Sequence, residues 1–149
     1  MLLIAHRGNV SGPCHEQENS PKYILEALTM GIDVEVDIWV HDGCIYLGHD
    51  SPQYKVDERF VLANGLWCHA KNICALVKLS DMAVKHFFWH QTDDVAYTSS
   101  GYLWTYPGKK LTDRSIAVMP ELNNTYDPVE AKCYGICSDY VLDFSQVGK

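Results

Sequence analysis

Glu35 and Asp37 lie two apart inside the run Asp33–Val40, and on an extended strand residues two apart share a face. Val34, Val36 and Ile38 then share the opposite face. Two aligned carboxylates are half of a site for a hard divalent cation such as Mg2+ or Ca2+. His41-Asp42-Gly43-Cys44 follows at once, and Asp-Gly between extended runs is a strong hairpin signal. With Asp42-Gly43 as the loop, residue 41 pairs with 44 and 37 with 48, which returns His49 to the side of Asp37. His69 and Lys71 repeat the two-residue spacing on a later run. Facing the carboxylates, they would bring positive charge, or a further ligand, to a bound anion. His6 and Arg7 end the first run. A histidine moves protons near neutral pH, and the arginine fork suits phosphate oxygens. Each feature taken singly has a structural alternative: an amphipathic strand, an exposed hairpin histidine, a satisfied core histidine beside a surface lysine.

Short apolar runs that end in polar residues recur along the chain. Leu2–Ala5 ends in His6-Arg7, Leu66–Cys68 in His69, Phe87–Trp89 in His90-Gln91, and Tyr102–Trp104 in Thr105. Ile116–Met119 ends, after Pro120, in Glu121, and Tyr134–Cys137 ends in Ser138-Asp139. Runs of this length and composition predict strands buried on both faces, as in a parallel sheet. Ser20 or Asn19 caps a predicted helix that Pro21 opens and Gly31 closes, with Ile24, Ala27 and Leu28 inward. Asn72 caps a second, with Ile73, Leu76 and Val77 on its inner stripe. Strand–helix–strand alternation predicts an α/β fold with its polar groups gathered at the carboxyl ends of the strands.

His6-Arg7-Gly8, Glu18-Asn19-Ser20, Glu35-x-Asp37 after Gly31, Asp42-Gly43 and His49-Asp50 resemble, in order and spacing, the glycerophosphodiester phosphodiesterase family. That family belongs to the wider group of phosphatidylinositol-phospholipase-C-like barrels. The matching block covers residues 1–50, and weaker echoes follow at His69-Ala70-Lys71, Trp104-Thr105 and Gly135–Tyr140. The resemblance implies that His6 and His49 are the catalytic acid–base pair. It implies that Glu35 and Asp37 hold a divalent ion, that Arg7 and Lys71 grip the phosphate, and that Glu18 stands at the rim near the metal. The attacking group would be a neighbouring substrate hydroxyl or water. At His69 the family tends to carry an acidic residue. An imidazole there favours Mn2+, Zn2+ or Fe2+ over Mg2+ or Ca2+, or else another residue replaces the ligand. Glu121 is the candidate, ahead of Asp93 and Asp94.

The expected fold is therefore an α/β, shortened TIM-type (β/α) barrel, a single domain over residues 1–149. A complete barrel takes about 250 residues, so some crossover helices must be missing, between residues 90 and 121. The expected activity is that of a hydrolase, a metal-dependent phosphodiesterase acting on a small glycerol- or lipid-derived phosphodiester. The alternatives are a non-catalytic phosphate- or metal-binding reduced barrel and a phospholipase D-like lipid phosphodiesterase or transferase. Trp104, with Tyr102 and Tyr106 nearby, is a candidate wall of the substrate pocket. A barrel that lacks helices exposes apolar surface, and a homodimer would cover it.

Of 149 residues, 12 are Lys or Arg and 19 are Asp or Glu, for a net charge of −7. That balance argues against a general nucleic-acid binder. Hydrophobic residues make up 47%, an ordinary globular share. The opening apolar run is shorter than a signal peptide requires, and nothing approaches the roughly 20 apolar residues of a spanning helix. A cytoplasmic protein is the expectation. Its 6 cysteines are then free thiols, mostly buried, although Cys133 and Cys137 have the spacing of half a zinc site.

Overall fold

The computed structural model describes residues 1–123 and 127–146. Ten strands form one sheet: β1 (Leu2–His6), β2 (Asp33–His41), β3 (Cys44–Leu47), β4 (Tyr54–Val56), β5 (Leu66–Ala70), β6 (Phe87–Trp89), β7 (Val95–Tyr97), β8 (Leu103–Thr105), β9 (Ser115–Val118) and β10 (Gly135–Ser138). Three helices accompany it: α1 (Pro21–Thr29), α2 (Glu58–Val61) and α3 (Ile73–Asp81). Two 3-10 turns, Pro120–Leu122 and Val141–Gln146, complete the described elements.

The strands β6, β5, β2, β1, β10, β9 and β8 are neighbours in that order and all parallel. β7 returns antiparallel along β8. β3 and β4 form an antiparallel arm on the far half of β2. The sheet curls so that the edges of β6 and β7 approach. Among the described residues these two strands do not pair; they are tied where Ser99 N–H donates to Phe87 O at 2.8 Å.

The expected TIM-type (β/α) barrel is corrected by this topology. The described residues form a curled, mixed-sheet half-barrel with three short α-helices. Connection length is the reason. A helical crossover needs at least about 10–12 residues. Only residues 90–94 join β6 to β7, and only 98–102 join β7 to β8. The chain there can only turn back, which makes β7 antiparallel. Earlier, the segment after β2 is spent on the β3–β4 arm. No α-helix follows Asp81 among the described residues.

The pleat separates two cores. Val34, Val36 and Ile38 are fully buried on the outer face of β2, against Ile24 and Ala27 of α1 and Ala75 and Leu79 of α3. Each such side chain contributes about 1.5–3 kcal/mol. On the inner face Ile4, Trp67, Phe88, Trp104, Ile116 and Cys137 plug the curl. Trp104 packs on Phe88 at 4.5 Å and on Trp67 at 5.9 Å between ring centroids.

The helix ends follow side-chain chemistry. Ser20 Oγ accepts from Tyr23 N–H with Pro21 in the first turn. Asn72 Oδ1 accepts from Ala75 N–H at 2.8 Å, and its amide also bonds both backbone groups of Val40. That double attachment sets the rotation of α3. Ala75, Leu76 and Leu79 face the sheet, while Ile73 and Val77, expected inward, are exposed. All six cysteines are free. Cys133 belongs to a small outer cluster and Cys137 to the inner one, so the pair does not converge as half a zinc site. Among the described residues no helix is long and apolar enough to cross a membrane.

Candidate active site at the carboxyl ends of the strands

His6 ends β1, Glu35 and Asp37 point inward from β2, and His69 points inward from β5. Register aligns them: His6 lies beside Glu35, and Asp37 beside His69. The hairpin forms with Asp42 (φ 48°) and Gly43 (φ 74°) at its tip and His41 paired with Cys44. Gly48 N–H donates to Asp37 O, and His49 Nδ1 stands 3.2 Å from Asp37 Oδ2.

Arg7 enters through a left-handed residue (φ 54°) and meets a second one, Asn19 (φ 61°), whose N–H donates to Arg7 O. Such backbone costs roughly 1–3 kcal/mol per residue and gathers at functional sites. Gly8 (φ 93°) makes the turn possible, because a Cβ there would stand 2.7 Å from the Tyr23 ring. Asn19 clamps Asp37 from two sides. Its Nδ2 donates to Asp37 Oδ2 and its Oδ1 accepts from Asp37 N–H, both at 2.9 Å.

One cavity of about 520 Å3 is lined by His6, Arg7, Glu35, Asp37, His49, His69, Lys71 and Trp104, together with His90, Tyr106, Met119 and Leu122 among others. Eight of the ten residues predicted for the site therefore meet in one place. The other two stand outside this lining. Glu18 accepts from Arg7 Nη1 at 3.1 Å and Asn9 Nδ2 at 3.0 Å. Glu121 Oε1 accepts from Ser138 Oγ and from Asp139 N–H, which props the loop carrying Asp139. Asp93 and Asp94 are exposed.

Glu35 and Asp37 are 3% and 1% exposed, so their charges have left water. Glu35 Oε2 and Asp37 Oδ1 have no hydrogen-bond partner. Asp37 Oδ1 does stand 3.1 Å from His69 Nδ1 and 3.4 Å from Lys71 Nζ, as ion pairs without hydrogen-bond direction. Burial, then the neighbouring Asp37, pushes the Glu35 carboxyl up. Burial would push Asp37 up as well, but His49, His69 and Lys71 outweigh it and hold Asp37 well below the carboxylate range. Of the two, Asp37 is the stronger acid, and Glu35 is the first to take up a proton as pH falls.

The partners fix the histidine tautomers. Arg7 Nη2 lies 3.1 Å from His49 Nε2 and can only donate. His49 Nε2 therefore accepts, and its Nδ1–H donates to Asp37. Likewise the His90 carbonyl, 3.3 Å from His69 Nε2, can only accept, so Nε2 carries hydrogen and Nδ1 faces the carboxylates. His6 Nδ1 lies 2.8 Å from Asp139 Oδ1. Burial works against the His6 imidazolium, yet the Asp139 hydrogen bond and the Glu35 charge overcome it and raise the pKa. Burial acts upward on Asp139 too, but His6 and Asn9 draw its pKa down.

Glu35, Asp37 and His69 each offer one ligand atom, all within 4.8 Å of one another. Two orphaned buried oxygens and an imidazole with its second nitrogen tied to a carbonyl fit a divalent cation. The nitrogen donor suits Mn2+ better than Mg2+ or Ca2+.

Asp139, Asn9, Asn19 and His90 complete the site. Asn9 Nδ2 bridges Glu18 Oε1 and Asp139 Oδ1. The sequence marks Asp139 as the polar end of a run within the weak echo Gly135–Tyr140, and Asn19 as a capping residue within the Glu18-Asn19-Ser20 motif, but gives neither a role in the site; nothing local marks Asn9. No family model, curated protein or solved structure matches this chain.

Proposed function

We propose that this chain is a metal-dependent phosphodiesterase that cleaves a small glycerol- or lipid-derived phosphodiester, with His6 and His49 as its proton-transfer pair. One observation carries the reading: two histidines, a buried carboxylate duo and two cations line a single cavity. Phosphodiester cleavage needs charge neutralisation on the non-bridging oxygens, one group to take a proton and one to give one. The resemblance to glycerophosphodiester phosphodiesterases, strongest over residues 1–50, points to the same chemistry.

Glu35, Asp37 and His69 would hold the divalent ion. When bound it would supply Lewis-acid neutralisation of the phosphate. Arg7 and Lys71 supply fixed positive charge on the same side. Arg7 Nη2 now donates to His49, and a phosphate oxygen is a stronger acceptor for it. Releasing Arg7 frees the His49 Nε2 lone pair to take the proton of the attacking water or neighbouring hydroxyl. His6, whose pKa the Asp139 hydrogen bond helps raise against burial, would donate from Nε2 to the departing alcohol oxygen. The new P–O bond forms as the old one breaks, and the two histidines end with exchanged protonation states.

The test is alcohol release from glycerophosphodiesters with Mn2+, Mg2+ or Ca2+. His6→Ala and His49→Ala should each lower kcat by about 10^2–10^4-fold, and a chelator should abolish turnover. Full activity in both variants overturns the assignment. Phosphate and ion binding without turnover under any metal favours a binding module instead.

A further inference from the structure

The curl has a second mouth, where the strands begin. The pleat that turns Glu35 and Asp37 inward turns Asp33 inward as well, about 6.6 Å earlier along β2. There a cavity of about 310 Å3 opens, walled by Asp33, Trp67, Lys85, His86, Tyr102 and Tyr134 among others. Its lining shares no residue with that of the cavity around His6 and His49. Trp67 lines the lower cavity and Trp104 the upper one, with ring centroids 5.9 Å apart. The lower wall is aromatic. His86 lies flat on Trp67, with 4.0 Å between centroids and 10° between planes, and Ser100 Oγ holds its Nδ1 at 2.7 Å. Tyr102 meets Trp67 edge-on at 5.7 Å and Tyr134 at 4.3 Å. Tyr134 is 41% exposed, which leaves ring surface open at the mouth.

Two charges stand in this wall. Burial, then Lys85, presses His86 down to about 4, so at neutral pH the imidazole is uncharged. Asp33 is half-buried, and its Oδ2 accepts from Trp67 Nε1 at 2.9 Å. Among the described residues no donor reaches its Oδ1. Lys85 is near enough for its charge to favour the carboxylate, yet no salt bridge joins the two. A carboxylate and an ammonium held apart beside a ring surface complement a ligand that carries the opposite pair beside a ring. A lone organic cation would meet Lys85, and a lone anion would meet Asp33. We infer that this second cavity binds a free aromatic α-amino acid, its ammonium on Asp33, its carboxylate on Lys85 and its ring against Tyr102 and Tyr134. The volume lies at the lower end of the range for small-molecule sites, roughly 300–1,000 Å3. The inference goes beyond the phosphodiesterase reading and does not need it.

L-phenylalanine titrated into the full chain near neutral pH and followed by NMR decides it. The Trp67 indole N–H bonds Asp33 and is the local reporter; the Trp39 indole N–H, bonded to Gly48 O, is the remote one. The Trp67 signal should shift and saturate with a Kd of about 2 mM or tighter, and the Trp39 signal should stay in place. Phenethylamine, 3-phenylpropionate and L-alanine each lack one of the three contacts and should bind at least about tenfold more weakly. Asp33→Asn keeps an acceptor for Trp67 but removes the charge, and should weaken binding at least about tenfold. Lys85→Gln and Tyr134→Ser, at exposed positions that do not endanger folding, should each weaken it about threefold or more. His49→Ala, at the other mouth, should leave the affinity unchanged. The inference is overturned by a Trp67 signal that does not saturate, by phenethylamine or 3-phenylpropionate binding as tightly as the amino acid, or by an affinity that ignores Asp33→Asn or Lys85→Gln. Loss of binding in His49→Ala would move the ligand to the upper cavity and overturn it as well.

Discussion

Replacing Glu35 by Gln should make the ion-free protein more stable and the ion-loaded protein less so. Glu35 and Asp37 place ligand atoms within 4.8 Å of each other in a dry site. Two full charges at that separation repel by about 3.5 kcal/mol at an effective dielectric constant near 20. The nearby Arg7 and Lys71 relieve part of this, leaving about 1–2 kcal/mol for the amide to recover. At about 2–4 °C per kcal/mol for a chain of this size, the ion-free Glu35→Gln protein should melt roughly 2–8 °C above the wild type. An ion at a hundred times its Kd stabilises the wild type by about 2.7 kcal/mol, or roughly 5–11 °C. The variant, short of one of three ligands, should gain little. The melting curves with EDTA and with Mn2+ should therefore rank the two proteins in opposite order. A variant that melts below wild type in EDTA, or a wild type indifferent to Mn2+, Mg2+ and Ca2+ alike, refutes the buried-duo argument.

The same pair predicts a pH dependence. Burial and Asp37 raise the Glu35 pKa in the folded chain. A raised carboxyl favours folding below its unfolded pKa, and that contribution is lost as pH rises through the folded value. The advantage of Glu35→Gln in EDTA should thus shrink as pH falls toward the ordinary carboxylate range, and the stabilisation by Mn2+ should grow as pH rises.

Asp139→Asn should lower the His6 pKa, followed by histidine NMR, because the Asp139 hydrogen bond helps raise it against burial. His6 is raised and Asp139 lowered, so the stability this pair contributes is present between the ordinary carboxylate range and the His6 folded value; the variant's deficit, on the order of 1.5–3 kcal/mol, should close outside that window. Asn19→Gly keeps the left-handed backbone but removes both clamps on Asp37, and should cost about 2–4 kcal/mol in urea unfolding; no loss would mean that water replaces the clamp. His69→Glu should strengthen Mg2+ binding relative to Mn2+, and unchanged selectivity by titration would remove His69 from the ligand set. Ile73 and Val77 on α3 and Val95 and Tyr97 on β7 are exposed, so sedimentation at micromolar concentration should give a dimer, and a monomer would count against it.

Much of the site was legible because its parts are local. The pleat fixes Glu35 and Asp37 on one face whatever surrounds them, and Asp42-Gly43 sets the register that delivers His49. Asp139 was not legible as the His6 partner. The two are 133 residues apart, and only the pairing of β1 with β10 brings them together. The phase of α3 was misread because Asn72 bonds Val40, a contact no helical periodicity encodes. The barrel expectation read short buried runs along the whole chain as parallel strands; it already placed missing helices between residues 90 and 121, but nothing in those runs tells that β7 turns back antiparallel along β8.

The missing helices and the position of the charged groups are linked. α1 packs on β2, and α3 on β2, β5 and β6. These helices cover the outer faces of the strands that carry Glu35, Asp37 and His69, the groups for which a misplacement of about 0.5 Å matters most. Among the described residues β8 and β9 have no α-helix behind them, and they contribute Trp104 and Val118, apolar contacts that tolerate looser placement. An ion-pair cluster on the helix-free side would lack that backing, and buried charges with imperfect geometry cost several kcal/mol. Shortening the chain at the β7–β9 side is thus compatible with an intact carboxylate duo, whereas loss of α1 or α3 would not be. Destabilising α3 through Leu79→Ala should therefore weaken Mn2+ binding, while Val118→Ala, of similar burial, should leave it nearly unchanged; equal losses of ion affinity in the two variants would show that the sheet holds its site without the helices.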